Sequence, residues 1–143
     1  MPQRHIINTE LNSGNFLINE GTQAYLIDWE KPLFAEVEQD LAHFLCPTTT
    51  FWKTDTVLDE KAIECFLEHY RNAVDNRFDT SSLEARLPDY FVLTCLRGVT
   101  WCAMALAQHE CNERKVANDY TFEKIKTYLG ETFLSLIEER FYS

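Results

Sequence analysis

The run YFVLTCLRGVTWCAMALA, residues 90 to 107, constrains the fold more than any other stretch. Its length approaches that of a helix crossing a bilayer. Arg97 falls near the middle, where a charge is costly in lipid, and Thr94, Gly98 and Thr100 dilute the run further. We therefore expect a central core helix of a globular domain, with no membrane span. The rest of the chain can supply partners for such a helix. Its 143 residues are 45% hydrophobic and 13% aromatic, which fits one folded domain over 1–143.

Charge narrows the partners. With 23 acids against 13 bases the formal charge is -10. Phosphate backbones are gripped by basic side chains, so nucleic acid is an unsuitable partner. A cationic small molecule suits the balance better. Cysteines stand at 46, 65, 95, 102 and 111, an odd set with no C-x-x-C pair. That argues against a disulfide framework or a zinc site and for buried reduced thiols in a cytoplasmic protein. The start, MPQRHIINTE, is too polar for a signal peptide.

The expected fold is mainly α with a small N-terminal β-hairpin (α+β). FLIN (16–19) and AYLID (24–28) flank Glu20-Gly21-Thr22-Gln23, a short hairpin loop. A four-residue loop would face Asn19 with Ala24 and Asn15 with Asp28. Everything after about residue 33 reads as helix. Phe34, Val37, Leu41, Phe44 and Leu45 recur at helical spacing until Pro47, and 46–56 reads as an aromatic-containing loop. Asp59 can cap a helix with the stripe Ile63, Phe66, Leu67, Tyr70, Val74. Ser81-x-x-Glu84 has the form of a capping box, and Pro88 suits the first turn of the long apolar helix. In the last segment Phe122, Ile125, Leu129, Phe133, Leu136, Ile137 and Phe141 align, with Gly130 as a break or bend.

Three residues could carry chemistry. Glu10-x-x-x-x-Asn15 has the spacing of an acid and an amide on a phosphotransferase catalytic loop. There the acid orients or deprotonates the acceptor hydroxyl and the amide oxygen holds a metal. Asp28, on the next strand, adds a second hard oxygen ligand, and Mg²⁺ needs few from protein. On spacing alone, such residues before a strand serve more often as turn formers and caps. Elsewhere His5, His43, His69 and His109 show no ligand spacing, and His109 and Cys111, two apart, would not face each other on a helix. Trp52 and Trp101 read as core aromatics. The acids of 30–40 and 131–139 read as solvated faces, some of which could line a pocket for an aminated acceptor.

The ordered motifs NTELNSGNFLI, YLIDWE and DLAHFL resemble the core of the aminoglycoside phosphotransferase and choline kinase-like family. Members commonly show H-x-D-x-x-x-x-N, a strand, I-D-W-E or I-D-F-E, then D-L-A. The resemblance covers residues 8 to 45 and implies the C-terminal lobe of a protein kinase-like fold. It implies Mg²⁺ ligation by Asn15 and Asp28, catalytic acid/base work at Glu10 and support of the loop by Asp40 from its helix. Mg²⁺ and ATP would be the cofactors, and a hydroxyl of an aminoglycoside- or choline-like molecule the phosphoryl acceptor, with its pocket among the later helices.

Two departures stand out. Asn8 and Glu10 replace the family's His and Asp, and the extra methylene of Glu10 moves its carboxylate by about a bond length. Only nine residues precede Glu10, without the Gly-rich loop and strand Lys that hold ATP. The nucleotide-binding lobe is thus expected to be absent, and the isolated chain inactive as a kinase. The alternatives are a non-enzymatic binding module, self-associating as a homodimer to cover exposed apolar surface, or a piece of a longer protein.

Overall fold

The computed structural model describes residues 3–21, 23–112 and 114–141. It is mainly helical, 64% helix in six helices, with the strands confined to the N-terminal part. The order is β1 (His5–Ile7), β2 (Phe16–Ile18), β3 (Ala24–Leu26), β4 (Leu33–Ala35), then α1 (Val37–Leu45), α2 (Pro47–Thr54), α3 (Glu60–Val74), α4 (Leu83–Glu110), α5 (Asp119–Leu129) and α6 (Glu131–Phe141). The chain divides into two compact units, residues 1–91 and 92–143, and α4 begins in one and continues in the other.

In the first unit the hairpin β2–β3 forms as expected, but one residue out of the expected register. Phe16 pairs with Leu26 and Ile18 with Ala24, so the ladder closes at Asn19, whose N–H donates to the Gln23 carbonyl at 3.2 Å. Gln23 thus belongs to the ladder rather than to the turn, and Gly21 takes φ +119°, a conformation that favours glycine. Asn15 consequently faces Ile27 instead of Asp28, and the Ile27 N–H donates to the Asn15 carbonyl at 3.0 Å.

A second ladder lies outside the sequence expectation. Leu33–Ala35 pairs antiparallel with His5–Ile7, so residue 34 belongs to a strand and helix begins only at Val37. The expected loop 46–56 is also corrected, since Pro47–Thr54 is helical. Pro47 takes a helix N-terminal position, where its missing N–H costs nothing. The hydroxyls of Thr50 and Thr54 turn back onto the carbonyls of Cys46 and Thr50, which reconciles the threonine-rich sequence with helix.

Asp59 caps α3 by accepting from the Ala62 N–H at 2.8 Å, and Ile63, Leu67 and Val74 are buried along its stripe. The capping box at Ser81 does not form. Helix α4 starts at Leu83, and the Glu84 carboxylate pairs with Arg71 at 2.8 Å instead of turning back. Pro88 lies inside α4 rather than in its first turn, depriving the Glu84 carbonyl of a helical donor.

Within the first unit the start of α4 is tied to α1 by charge. The Tyr90 hydroxyl and the Arg86 guanidinium both donate to the Glu36 carboxylate, Arg86 at 2.7 Å. Buried Glu38 accepts from Ser82 at 2.8 Å, with Arg86 at 3.8 Å. The Tyr90 hydrogen bond, aided by Arg86, holds the Glu36 carboxyl below its ordinary value of 4.5. A depressed carboxyl contributes stability that is present above the unfolded value and lost as pH falls through the folded one. Urea titrations from pH 6 to 3 should therefore show a steeper acid loss of stability for the native chain than for Glu36→Gln. Equal slopes would remove Glu36 from the account.

Helix α4 departs most from the sequence reading. One stripe is buried, Leu83, Leu87, Phe91, Cys95 and Cys102, while Leu93, Leu96, Trp101 and Met104 are exposed. The expected central core helix is thus buried along one face only. It is long and apolar enough to cross a membrane, and 17% of its most apolar window is buried. Trp101, expected in the core, is on the exposed face. The thiols divide likewise: Cys46, Cys95 and Cys102 are buried, Cys65 and Cys111 are exposed, and none of the five forms a disulfide. Burial pushes the Cys102 thiol up to about 11.

In the second unit Gly130 does break the last segment. Asn118 caps α5 by accepting from Thr121, and the next helix opens at Glu131. A Cβ at Gly130 would come within 3.2 Å of the Thr127 carbonyl oxygen. Ile125, Tyr128, Phe133 and Ile137 form the core, with Tyr128 stacked on Phe133 at 4.3 Å.

Candidate functional site

The segment after β1 is shaped by one carboxylate. The N–H groups of Asn8 and Thr9 donate to Asp40 Oδ2 and Oδ1, each at 2.7 Å, so the first turn of α1 grips two successive backbone donors. Burial pushes the Asp40 carboxyl above its ordinary range, against the pull of those two donors. Thr9 sits at φ 75°, a strained conformation for a β-branched residue, and its hydroxyl donates to the Lys31 carbonyl at 3.1 Å.

Asn8 joins three segments. Its Nδ2 donates to the Asp28 carbonyl at 2.9 Å, its Oδ1 accepts from the Glu10 N–H at 3.2 Å, and it is 1% exposed. Sequence reasoning treated Asn8 only as a departure from a family pattern. No local signal in the chain announces its buried bridging role.

The rest of the loop folds on Glu10 and Asn12. Asn12 accepts from Gly14 N–H at 3.0 Å, capping a 3-10 turn over Ser13–Asn15. The Glu10 carbonyl accepts from Asn12 Nδ2 at 2.9 Å and from Asn15 Nδ2 at 3.3 Å. Glu10 therefore has both backbone polar groups fixed, while its side chain is exposed and makes no hydrogen bond among the described residues. Asn15 is buried, with its amide nitrogen committed to Glu10 and Oδ1 left as the donor atom for a cation.

Asp28 stands at the end of β3, exposed, at φ 65°. Its carbonyl is held by Asn8 and its neighbour Ile27 by Asn15, which puts Asp28 diagonally across the ladder from Asn15. Glu10, Asn15, Asp28 and Asp40 thus belong to one hydrogen-bonded network. The links run through Asn8 and the backbone, never directly from one of these side chains to another.

The donor set is oxygen only, one amide and one carboxylate, which suits Mg²⁺ completed by phosphate and water rather than a softer ion. Among the described residues no group of three or more His, Cys, Asp or Glu could hold a metal by itself. Two histidines have structural partners, while the buried Nε2 of His5 has no hydrogen-bond partner among the described residues. His43 Nδ1 meets Thr49 Oγ1 at 3.0 Å, and His109 Nδ1 accepts from Val116 N–H at 3.1 Å. Comparison with protein-family models, with curated proteins and with solved structures returned no match.

Proposed function

We propose that this chain is the C-terminal lobe of a small-molecule phosphotransferase resembling aminoglycoside and choline kinases. The observation that carries the reading is the network above, in which Asn8 and Asp40 bring the three motifs of the resemblance together. Glu10, anchored by its backbone with a free carboxylate, orients the acceptor hydroxyl or takes its proton. Asn15 Oδ1 and the Asp28 carboxylate hold Mg²⁺, which when bound neutralises charge on the transferring phosphoryl group. The complete reaction moves the ATP γ-phosphoryl group to a hydroxyl of an aminoglycoside- or choline-like acceptor. The Gly-rich loop and strand Lys that grip ATP in that family are not among these 143 residues, so the proposal assigns this chain the metal- and acceptor-holding half of the work.

Mn²⁺, a paramagnetic substitute for Mg²⁺, tests the assignment. It should broaden the amide resonances of Asn15, Ile27 and Asp28 first, and Asp28→Ala should weaken the effect at least tenfold. Broadening spread over the acidic surface, unchanged in Asp28→Ala, would remove the metal site. If Mg²⁺–ATP also gives no heat on titration, the phosphotransferase reading fails for this chain.

A second reading is favoured by the exposure of Ile6, Ile18 and Phe34, at 71%, 78% and 68%, on the two ladders. Apolar side chains this open on neighbouring elements are suited to an interface. On this reading the chain is a binding module that self-associates as a homodimer through that surface. Light scattering at micromolar concentration should then give twice the 16.8 kDa chain mass, and Ile18→Lys should return the monomer. A native chain that scatters as a monomer sinks this alternative.

A further inference from the structure

The two ladders, α1 and α3 border an open cavity of about 920 Å³, at the upper end of the range for small-molecule sites. Ile7 and Leu41, both 3% exposed, belong to its lining. Two runs of rings shape the walls. Phe16 meets Phe44 at 5.5 Å and Phe44 meets Phe66 at 5.3 Å, while Phe78 lies 4.4 Å from His5 and 6.4 Å from Tyr70. These ring contacts give the cavity a largely aromatic wall.

Its few polar groups define the ligand, and the Nε2 of the lining His5 is one of them, buried without a hydrogen-bond partner among the described residues. The half-buried Tyr70 hydroxyl makes no hydrogen bond among the described residues. Burial, with the negative charges of Glu38 and Asp40, pushes that phenol up to about 12, so it remains a donor at any physiological pH. No Lys or Arg lines the cavity, and Asp40 would repel an anion. A cation would have only Asp40 to pair with, and both of its oxygens already serve Asn8 and Thr9. Charge therefore selects against an anion and offers a cation no unengaged carboxylate.

We propose that this cavity binds a neutral, largely apolar small molecule of drug size carrying one hydrogen-bond acceptor, which the Tyr70 hydroxyl engages. The class differs from a cationic phosphoryl acceptor, and the proposal stands independently of the phosphotransferase reading.

Prodan, a neutral naphthyl ketone whose emission moves to the blue in apolar surroundings, is a suitable probe. Titration into the full chain should give a saturable blue shift. Intermolecular nuclear Overhauser effects should run from the naphthyl protons to the methyls of Ile7 and Leu41. Tyr70→Phe keeps the ring and should weaken binding about three- to tenfold, the range of one neutral hydrogen bond. A naphthalene sulfonate and a naphthylmethyl ammonium should each bind at least tenfold more weakly, and Asp28→Ala should bind Prodan normally. Three results would overturn the proposal: no saturable shift, effects to Leu93 and Met104 of α4 instead, or affinity indifferent to ligand charge and to Tyr70→Phe. Loss of Mn²⁺ broadening with Prodan binding intact would count only against the metal site.

Discussion

Replacing Asp40 by alanine should lower the free energy of unfolding by about 3 kcal/mol. Hydrogen bonds to a charged group contribute about 1.5–3 kcal/mol each, and this carboxylate accepts two, both at 2.7 Å. Their donors could not turn to water instead, because Asn8 is 1% and Thr9 8% exposed. An unsatisfied buried N–H costs about 1–3 kcal/mol. Against this, the substitution abolishes the cost of burying the carboxylate itself, the same desolvation that raises its pKa. The net estimate therefore sits well below the sum of the losses. Asp40→Asn offers one acceptor oxygen and should recover about half the loss. Urea unfolding monitored by circular dichroism measures both variants. A loss under about 1 kcal/mol for the alanine variant would mean that Asn8 and Thr9 are held mainly by their side chains.

The second large effect is expected in the other unit. Tyr128→Ala should cost about 3–5 kcal/mol, the range for removing a buried aromatic ring. Tyr128 is 1% exposed, and its surroundings include Ile125 at 0% and Ile137 at 5%, so little room exists for collapse around the vacated volume. Stacking on Phe133 adds a pairwise contribution. A double-mutant cycle with Phe133→Ala should give a coupling of about 1 kcal/mol beyond burial. Coupling near zero would mean that the two rings share a core without supporting one another.

The sequence was most informative where local chemistry decides structure. Turn residues between two apolar runs announced the β2–β3 hairpin, Asp59 announced the start of α3, and Gly130 announced the break between α5 and α6. It was least informative where distant segments decide. Leu33–Ala35 is three residues long and is a strand only because His5–Ile7 lies beside it, while Phe34, Val37 and Leu41 imitate helical spacing. The one-residue register error came from counting Gln23 as turn when its carbonyl closes the ladder. Helix α2 was hidden by its threonines, whose hydroxyls satisfy carbonyls within the helix. The apolar composition of 90–107 predicted a helix but carried no information on which face would be covered. At the candidate site the residue types of Glu10, Asn15, Asp28 and Asp40 were visible. Asn8 was not, since bridging three segments depends on tertiary contact alone.

Thr9 and Asp28 both hold positive φ without being glycine, at 75° and 65°, and the Asn8 amide ties the strand end at Asp28 to the residue before Thr9. Glycine at either position would relieve steric strain, and Asn would tolerate it better than Thr. A selection scheme that rewarded thermal resistance alone would thus be drawn to these two codons early. Variants enriched that way would keep the fold while discarding the Asp28 carboxylate, so a stability-guided redesign of this chain should hold residue 28 fixed.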